Sequence, residues 1–521
     1  MHDIELLLLA LMVAVAGLSV LARLVRVPYP ILLVLGGLVL GFLPGMPDVS
    51  LPPELVLVAF LPPLLYWAGF FSSPRDLRAD ARLISLAAVG LVLATTVAVA
   101  VAANAVVDGL GWAAAFALGA IVSPTDPLAA TAIGRRLGVP RRLLTVLEGE
   151  SLVNDATALV AYRLAVAAAA SGTFVAWRAG LSFVVGAAGG VAVGLVVGWV
   201  VAEVRRRLED PVVEIVVSVV TGYAAYLPAE QLKVSGVLAA VTSGLYVGWR
   251  APQLASASTR LLGFSFWEVL VYLANAVLFI LVGLQLHPIL RQLTGTSVAI
   301  LVGQAVLVSA VVITVRLGWV FSIPYLVRLL DRRPSQIARR IGARERLVLG
   351  WSGMRGAVSL AAALALPLDF PMRELILFLT FAVILATLVV QGLTLPTLIR
   401  RLRFSDDGSE AKEELRARLA ATHAALDRLD ELALEDWTRD DTVDRLHRLF
   451  EFRRRRLKER AGIWEDGGAQ DQSLAYQRLV RELLQAQREA IVRLRNQGEI
   501  SNDVMHRIER ELDLEDTRLE I

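Results

Sequence analysis

The sequence predicts an all-α polytopic membrane protein with about thirteen transmembrane helices, inverted repeats containing two discontinuous crossing helices, and a helical cytoplasmic tail. Three observations predict this. Of 521 residues, 56% are hydrophobic, above the roughly 45–50% usual for soluble domains. The excess lies between residues 4 and 400, in runs close to the roughly 20 residues that cross the hydrocarbon core of a bilayer. Beyond Arg400 the composition turns to dense Arg, Glu and Asp with interspersed Leu. The expected domains are therefore a membrane domain, 1–401, and a tail, 402–521.

The spans fall at 4–22, 28–43, 54–71, 84–106, 112–133, 142–168, 177–202, 212–228, 233–249, 264–288, 297–327, 346–366 and 373–398. The first follows "MHDIE", which lacks the basic start and small-residue cleavage site of a signal peptide, so it is expected to be retained. Alternate loops are arginine-rich: Arg23 and Arg26; Arg75, Arg78 and Arg82; "GRRLGVPRR"; Arg205 to Arg207; Arg250 and Arg260; "DRRPSQIARRIGARER"; and Arg400, Arg401 and Arg403. The remaining loops hold only Arg178, Lys233, Arg291 and Arg373. The positive-inside rule assigns the rich set to the cytoplasm. The N-terminus is then outside and the tail inside, which requires an odd number of spans.

The fifth span contains "SPTDP". Pro124 and Pro127 each remove a backbone donor and obstruct the preceding turn, so the helix is predicted to break at Asp126. In the twelfth, "WSGMRGAVS" places Gly353 and Gly356 around Arg355 and predicts a second break. Freed backbone groups at membrane depth must be buried in protein or line a watery cavity. The two breaks correspond if spans 1–6 and 8–13 are inverted repeats, a pattern that points to a transporter site between them. The seventh span then links the repeats. Its Gly186, Gly190, Gly194 and Gly198 form a stripe at four-residue spacing, read as close helix packing.

Five ionisable residues lie deep in the spans: Asp126, Glu150, Asp155, Arg316 and Arg355. A charge at a helix centre costs roughly 2.5–3.5 kcal/mol on insertion scales, so each is a functional candidate. Glu148, Glu214, Glu268 and Arg163 sit nearer span ends, where snorkelling accounts for them. In "EGESLVND" the residues Glu150, Ser151, Asn154 and Asp155 share one side of the sixth helix. At about 1.5 Å per residue Asp155 is roughly 20 Å in, at a depth matching Asp126. Glu150 and Arg316 match in depth nearer the cytoplasm and are paired as a buried salt bridge. A lone intramembrane acid is explained as a paired structural group; three acids, two arginines and two breaks are not.

Asp126, Glu150 and Asp155 carry three negative charges against two positive ones on Arg316 and Arg355, which leaves the site one positive charge short. A buried net charge is strongly disfavoured, so one monovalent cation or one proton should occupy it. Exchange of the two on shared carboxylates is antiport, one for one and electroneutral. Asp155 and Asp126 supply oxygen ligands for the transported ion, Na⁺ for example. They are joined by the Ser151 hydroxyl and by Thr125 through its backbone or side chain, a set suited to hard cations. Asn154 adds an amide that can cap the broken helix or fix Asp155. Arg355 is expected to offset local negative charge.

These residues resemble the sodium/proton exchanger family, the first monovalent cation:proton antiporter family, across essentially all of residues 4–400. The matching stretches are "FLPPLLYWAGF", "SPTDP", "EGESLVND", "VRLGW" and "GMRGAVS". The resemblance implies a homodimer, each protomer with a core and a dimerisation domain, working by elevator-like alternating access in a bacterial plasma membrane. It places ion binding on Thr125, Asp126, Ser151 and Asp155, and the core salt bridge on Glu150 and Arg316. The Asn154–Asp155 pair matches the family's electroneutral branch. One departure is that many bacterial relatives carry a glutamate after the Leu-Leu-aromatic sequence of the third span. Trp67, following Tyr66, stands there instead.

Residues 402–521 read as amphipathic helices, with Leu415, Leu419, Leu426, Leu429 and Leu432 at near-helical intervals. "FRRRRLKER" reads as a solvated face, or one lying on anionic lipid, and "DGG" at 466–468 as a break. The closing stretch resembles the tails of bacterial exchangers.

Other chemistries are poorly supported. The chain has no cysteine, which removes thiolate and cysteine–metal sites, and a charge of only +3, which gives no sign of nucleic-acid binding. An intramembrane hydrolase would need histidines or a serine–base pair. His2, His287, His423, His447 and His506 all lie at ends, in loops or in the tail, and no Lys or His lies at the depth of Ser151 or Ser352. No cofactor is expected and the chain does not read as an enzyme. Within transport, K⁺/H⁺ exchange is the alternative to Na⁺/H⁺ exchange, since oxygen ligands alone do not separate the ions.

Overall fold

The computed structural model describes residues 2–25, 27–43, 53–172, 176–293, 297–330, 341–404, 409–460, 469–497, 499 and 501–519. The chain forms two compact units, Met1–Ser405 and Asp406–Ile521. Among the described residues all regular structure is helical.

In the first unit, helix occupies each of the thirteen apolar segments. Among the described residues seven helices are long and apolar enough to cross a membrane: Ala81–Val106, Arg141–Ser171, Gly180–Arg205, Pro211–Gln231, Ala257–Gln292, Val298–Tyr325 and Arg373–Leu402. The tenth segment begins at Ala257, seven residues before the apolar run suggests. Ser256 explains this, since its side chain accepts the Thr259 N–H at 3.1 Å and caps the helix end. The arginine-rich loop at 331–340 lies outside the described residues.

Both predicted breaks are present. The fifth segment divides into Trp112–Val122 and Leu128–Arg136, and the twelfth into Ala343–Trp351 and Ala357–Leu364. The thirteenth, Arg373–Leu402, contains a π-helical turn at Thr387–Gln391, the kind of irregularity that recurs at functional sites.

The glycine stripe of the seventh segment packs against the ninth helix, Gly236–Leu254, and its N-cap. A Cβ on Gly194 would lie 2.5 Å from the Ala239 carbonyl oxygen and 2.7 Å from Thr242 Cβ, and one on Gly190 would meet Ser235. Gly186 differs: space around its Cα is open, and its carbonyl accepts the Ser235 N–H at 3.0 Å. Gly194→Val is therefore expected to lower stability by about 1–3 kcal/mol through overpacking. A reduced melting temperature of the purified protein checks it, with Gly186→Ala as the silent control.

The second unit contains the helices Ser409–Leu432, Asp440–Arg460, Ala469–Asn496 and Asn502–Leu519. Leu426 is buried while Leu415, Leu419, Leu429 and Leu432 are half-buried. Leu484, Ile491, Met505 and Leu512 form a small apolar cluster. In the basic run, Arg453 and Arg455 are exposed and Leu457 is buried. The glycine pair at 467–468 and Asp466 lie outside the described residues.

Candidate functional site

The two breaks meet. The Asp126 N–H donates to the Met354 carbonyl at 2.8 Å, which ties one interrupted chain to the other by backbone alone. The approach requires glycine, because a Cβ on Gly356 would fall on the Asp126 carboxylate. Asp126 Oδ1 also accepts the Leu128 N–H at 2.9 Å, which satisfies a donor at the start of the second half-helix.

The sixth helix, Arg141–Ser171, lays its polar side along this junction. Asn154 Nδ2 donates to the Thr125 carbonyl at 3.1 Å and to Thr125 Oγ1 at 3.0 Å. Thr125 Oγ1 in turn donates to Glu150 Oε1 at 3.0 Å. The Thr125 hydroxyl is thus engaged both as donor and as acceptor, and its oxygen and the Thr125 carbonyl each keep one further lone pair. Asn154 caps the broken chain, while its Oδ1 is buried and among the described residues has no hydrogen-bond partner.

Glu150 and Arg316 form the predicted pair, 4% and 1% exposed. Arg316 Nη1 lies 2.5 Å from Glu150 Oε1 and Nη2 lies 3.0 Å from Oε2, a bidentate contact with added geometric specificity. Arg316 Nε donates to the Leu349 carbonyl at 3.1 Å, at the end of the first half of the broken twelfth segment.

Arg355 is fully buried, and its side-chain hydrogen bonds go to backbone carbonyls rather than to the aspartates. Its Nε donates to the Val122 carbonyl at 3.0 Å and its Nη1 to the Gly353 carbonyl. The guanidinium therefore caps the half-helix Trp112–Val122 at its C-terminal end, where the helix dipole concentrates partial negative charge. The Arg355 N–H donates to Thr387 Oγ1 at 3.1 Å.

Asp155 is buried and Asp126 half-buried, and the two carboxylates lie near one another. Among the described residues the Asp155 carboxylate receives no hydrogen bond or ion pair. Ser151, one turn earlier, is half-buried. The junction therefore gathers two carboxylates, the Thr125 carbonyl and the unpartnered Asn154 oxygen, while both nearby arginines are engaged elsewhere. Such an oxygen-rich cluster can hold a hard monovalent cation, and either carboxylate can take a proton instead.

Three features were not legible beforehand. Thr387, in the π-helical turn of the thirteenth segment, holds the twelfth break by accepting the Arg355 N–H. Tyr29, on Tyr29–Gly41, lies close enough to Asp126 for their charges to interact, and it packs on Tyr272 with ring centroids 4.9 Å apart. Glu214, read as a snorkelling end residue, is instead 1% exposed and paired with Arg205 at 3.1 Å. Proximity to a span end does not expose a residue that neighbouring helices cover.

A family model described as "Sodium/hydrogen exchanger, transmembrane" matches residues 8–401. A Na⁺/H⁺ exchanger of Mycobacterium tuberculosis is 39% identical over 98% of this chain and 95% of its own length. The Na⁺/H⁺ antiporter ApNhaP of Aphanothece halophytica is 34% identical over 81% of this chain and 79% of the relative. A sodium, potassium, lithium and rubidium/H⁺ antiporter of Bacillus subtilis is 32% identical over 76% of this chain and 61% of the relative. Among solved structures, the sodium proton antiporter MjNhaP1 of Methanocaldococcus jannaschii matches with a TM-score of 0.57 at 19% identity, covering 77% of this chain and 99% of that one. That match is one of fold.

Proposed function

The chain belongs to the sodium/hydrogen exchanger family, and from that premise we propose that it is a secondary antiporter exchanging one monovalent cation, Na⁺ first, for one proton. The observation that carries the reading is the placing of two carboxylates, Asp126 and Asp155, at the meeting of two broken helices, with Arg316 and Arg355 bound to other partners.

In this reading Asp155 and Asp126 ligate the dehydrated ion, with the Ser151 hydroxyl, the Thr125 carbonyl and the Asn154 side-chain oxygen completing the set. Glu150 and Arg316 neutralise each other. Arg355 adds a positive charge that the helix end attenuates, which leaves the site about one cation short. Binding of either Na⁺ or H⁺ restores neutrality, so the two compete and the exchange moves no net charge. Alternating access has the two broken helices and their neighbours carry the site past the remaining segments. Thirteen spans in inverted repeats, an outside N-terminus, a cytoplasmic tail and a homodimer in a bacterial plasma membrane complete the proposal. A second reading, K⁺/H⁺ exchange, is favoured by the ion range in the name of the Bacillus relative.

Proton flux in inside-out vesicles tests it. Adding Na⁺ is expected to dissipate a preformed pH gradient, and Li⁺ and K⁺ are added in parallel. If K⁺ alone does so, the second reading holds; if no ion does, antiport is refuted. The cation concentration for half-maximal flux should rise as pH falls, because protons occupy the same carboxylates. A voltage-sensitive dye is expected to stay silent during turnover.

A further inference from the structure

A cavity of about 510 Å³ lies away from the aspartate pair, between the third, seventh, eighth, ninth and tenth segments. Much of its wall is aromatic: Trp67, Phe70, Phe71, Phe264 and Trp267. Trp67 and Trp267 stack with centroids 5.3 Å apart. The residue that stands where relatives carry a carboxylate thus builds an apolar wall.

The polar end is built around a buried ion pair. Arg205 Nη2 donates to Glu214 Oε2 at 3.1 Å, and Thr259 Oγ1 donates to Glu214 Oε1 at 3.0 Å. Both carboxylate oxygens are therefore engaged. Arg205 is 4% exposed, and among the described residues its Nε and Nη1 find no aligned acceptor, the Tyr66 hydroxyl lying beside the guanidinium. Unmet donors on a buried guanidinium are costly. Arg260, exposed at the rim, donates Nη1 to the Ala255 carbonyl at 2.7 Å. With Glu214 neutralised by Arg205, the site carries about one excess positive charge, from Arg260, and a buried guanidinium whose Nε and Nη1 lack an aligned acceptor. A cation is disfavoured there and an anion is favoured.

We propose that this cavity holds the phosphodiester head of an anionic phospholipid, its phosphate oxygens meeting Arg205 Nε and Nη1 and its apolar body lying along the aromatic wall. The eighth and tenth helices that line the cavity carry exposed apolar residues on their outer faces, among them Val212, Val216, Phe266 and Val269, so the surroundings suit an acyl chain. Arg205 and Arg260 lie in the helix ends that flank the arginine-rich loops, on the side facing the anionic leaflet if the membrane orientation above holds. Basic pockets between helices on that side bind anionic headgroups.

The test uses the full-length purified protein in detergent, titrated with bromine-labelled phosphatidylglycerol and, separately, bromine-labelled phosphatidylcholine. The expected result is saturable tryptophan quenching specific to phosphatidylglycerol that disappears in Trp67→Phe/Trp267→Phe. Arg205→Gln/Glu214→Gln removes both charges together and should weaken the binding about tenfold, the loss of one charge-assisted contact. Ala255→Phe, which fills the cavity without touching the ion pair, should abolish the quenching and stands in if the double variant fails to fold. Equal quenching by both lipids, or quenching that persists in the double Phe variant, overturns the proposal. Displacement of the labelled lipid by millimolar inorganic phosphate assigns the site to a free anion and also overturns it. The readout is independent of transport, so failure here leaves the antiport reading standing.

Discussion

Asp155→Asn is expected to reduce cation-driven proton flux to the level of protein-free vesicles while the protein stays folded. The substitution preserves shape and removes the charge on which cation and proton compete. Because no donor reaches the Asp155 carboxylate among the described residues, no structural bond is lost, and taking a buried charge away relieves a desolvation cost. The melting temperature should therefore hold or rise. Flux in inside-out vesicles and a thermal melt of the purified variant check both halves. Flux at the unsubstituted level would remove Asp155 from the ion path. Asp126→Asn should silence transport similarly, with a smaller structural margin because Asp126 also accepts the Leu128 N–H.

Arg316→Ala should be the most destabilising change in the site. It strands the Glu150 carboxylate, 4% exposed, with Thr125 as its remaining partner, and frees the Leu349 carbonyl. Losing one member of a buried pair costs about 3–5 kcal/mol, mostly through the uncompensated charge left behind. The double variant Glu150→Leu/Arg316→Met should recover much of that loss, since an apolar pair of similar volume removes both desolvation penalties. Melting temperatures of the single and double variants decide the matter. A single variant as stable as the parent would mean that Glu150 finds another cation.

Much of the site was legible because its makers are local. Proline removes a backbone donor wherever it stands, so the break at Asp126 follows from "SPTDP" alone. Helical spacing puts Glu150, Asn154 and Asp155 on one side, and depth counting was enough to pair Glu150 with Arg316. Arg355 shows the limit of that method. Depth placed it among the carboxylates, but its guanidinium reaches the Val122 carbonyl instead. A charge count treats arginine as a point, whereas the side chain is long and finds the nearest exposed acceptor, here an uncapped helix end.

Glu214 makes the same point from the other direction. Position near a span end implied snorkelling, yet Arg205 and Thr259 hold it inside the protein. The sequence by itself determined where helices run, where they break and which residue types sit at membrane depth, because apolar length, proline and glycine act through the backbone nearby. Only the tertiary structure decided the partners: Asn154 with Thr125, Arg355 with Val122, Thr387 with the twelfth break, Arg205 with Glu214. A hydrogen bond needs its atoms about 3 Å apart and aligned, and that depends on the rotation and crossing of packed helices, which many distant side chains set together.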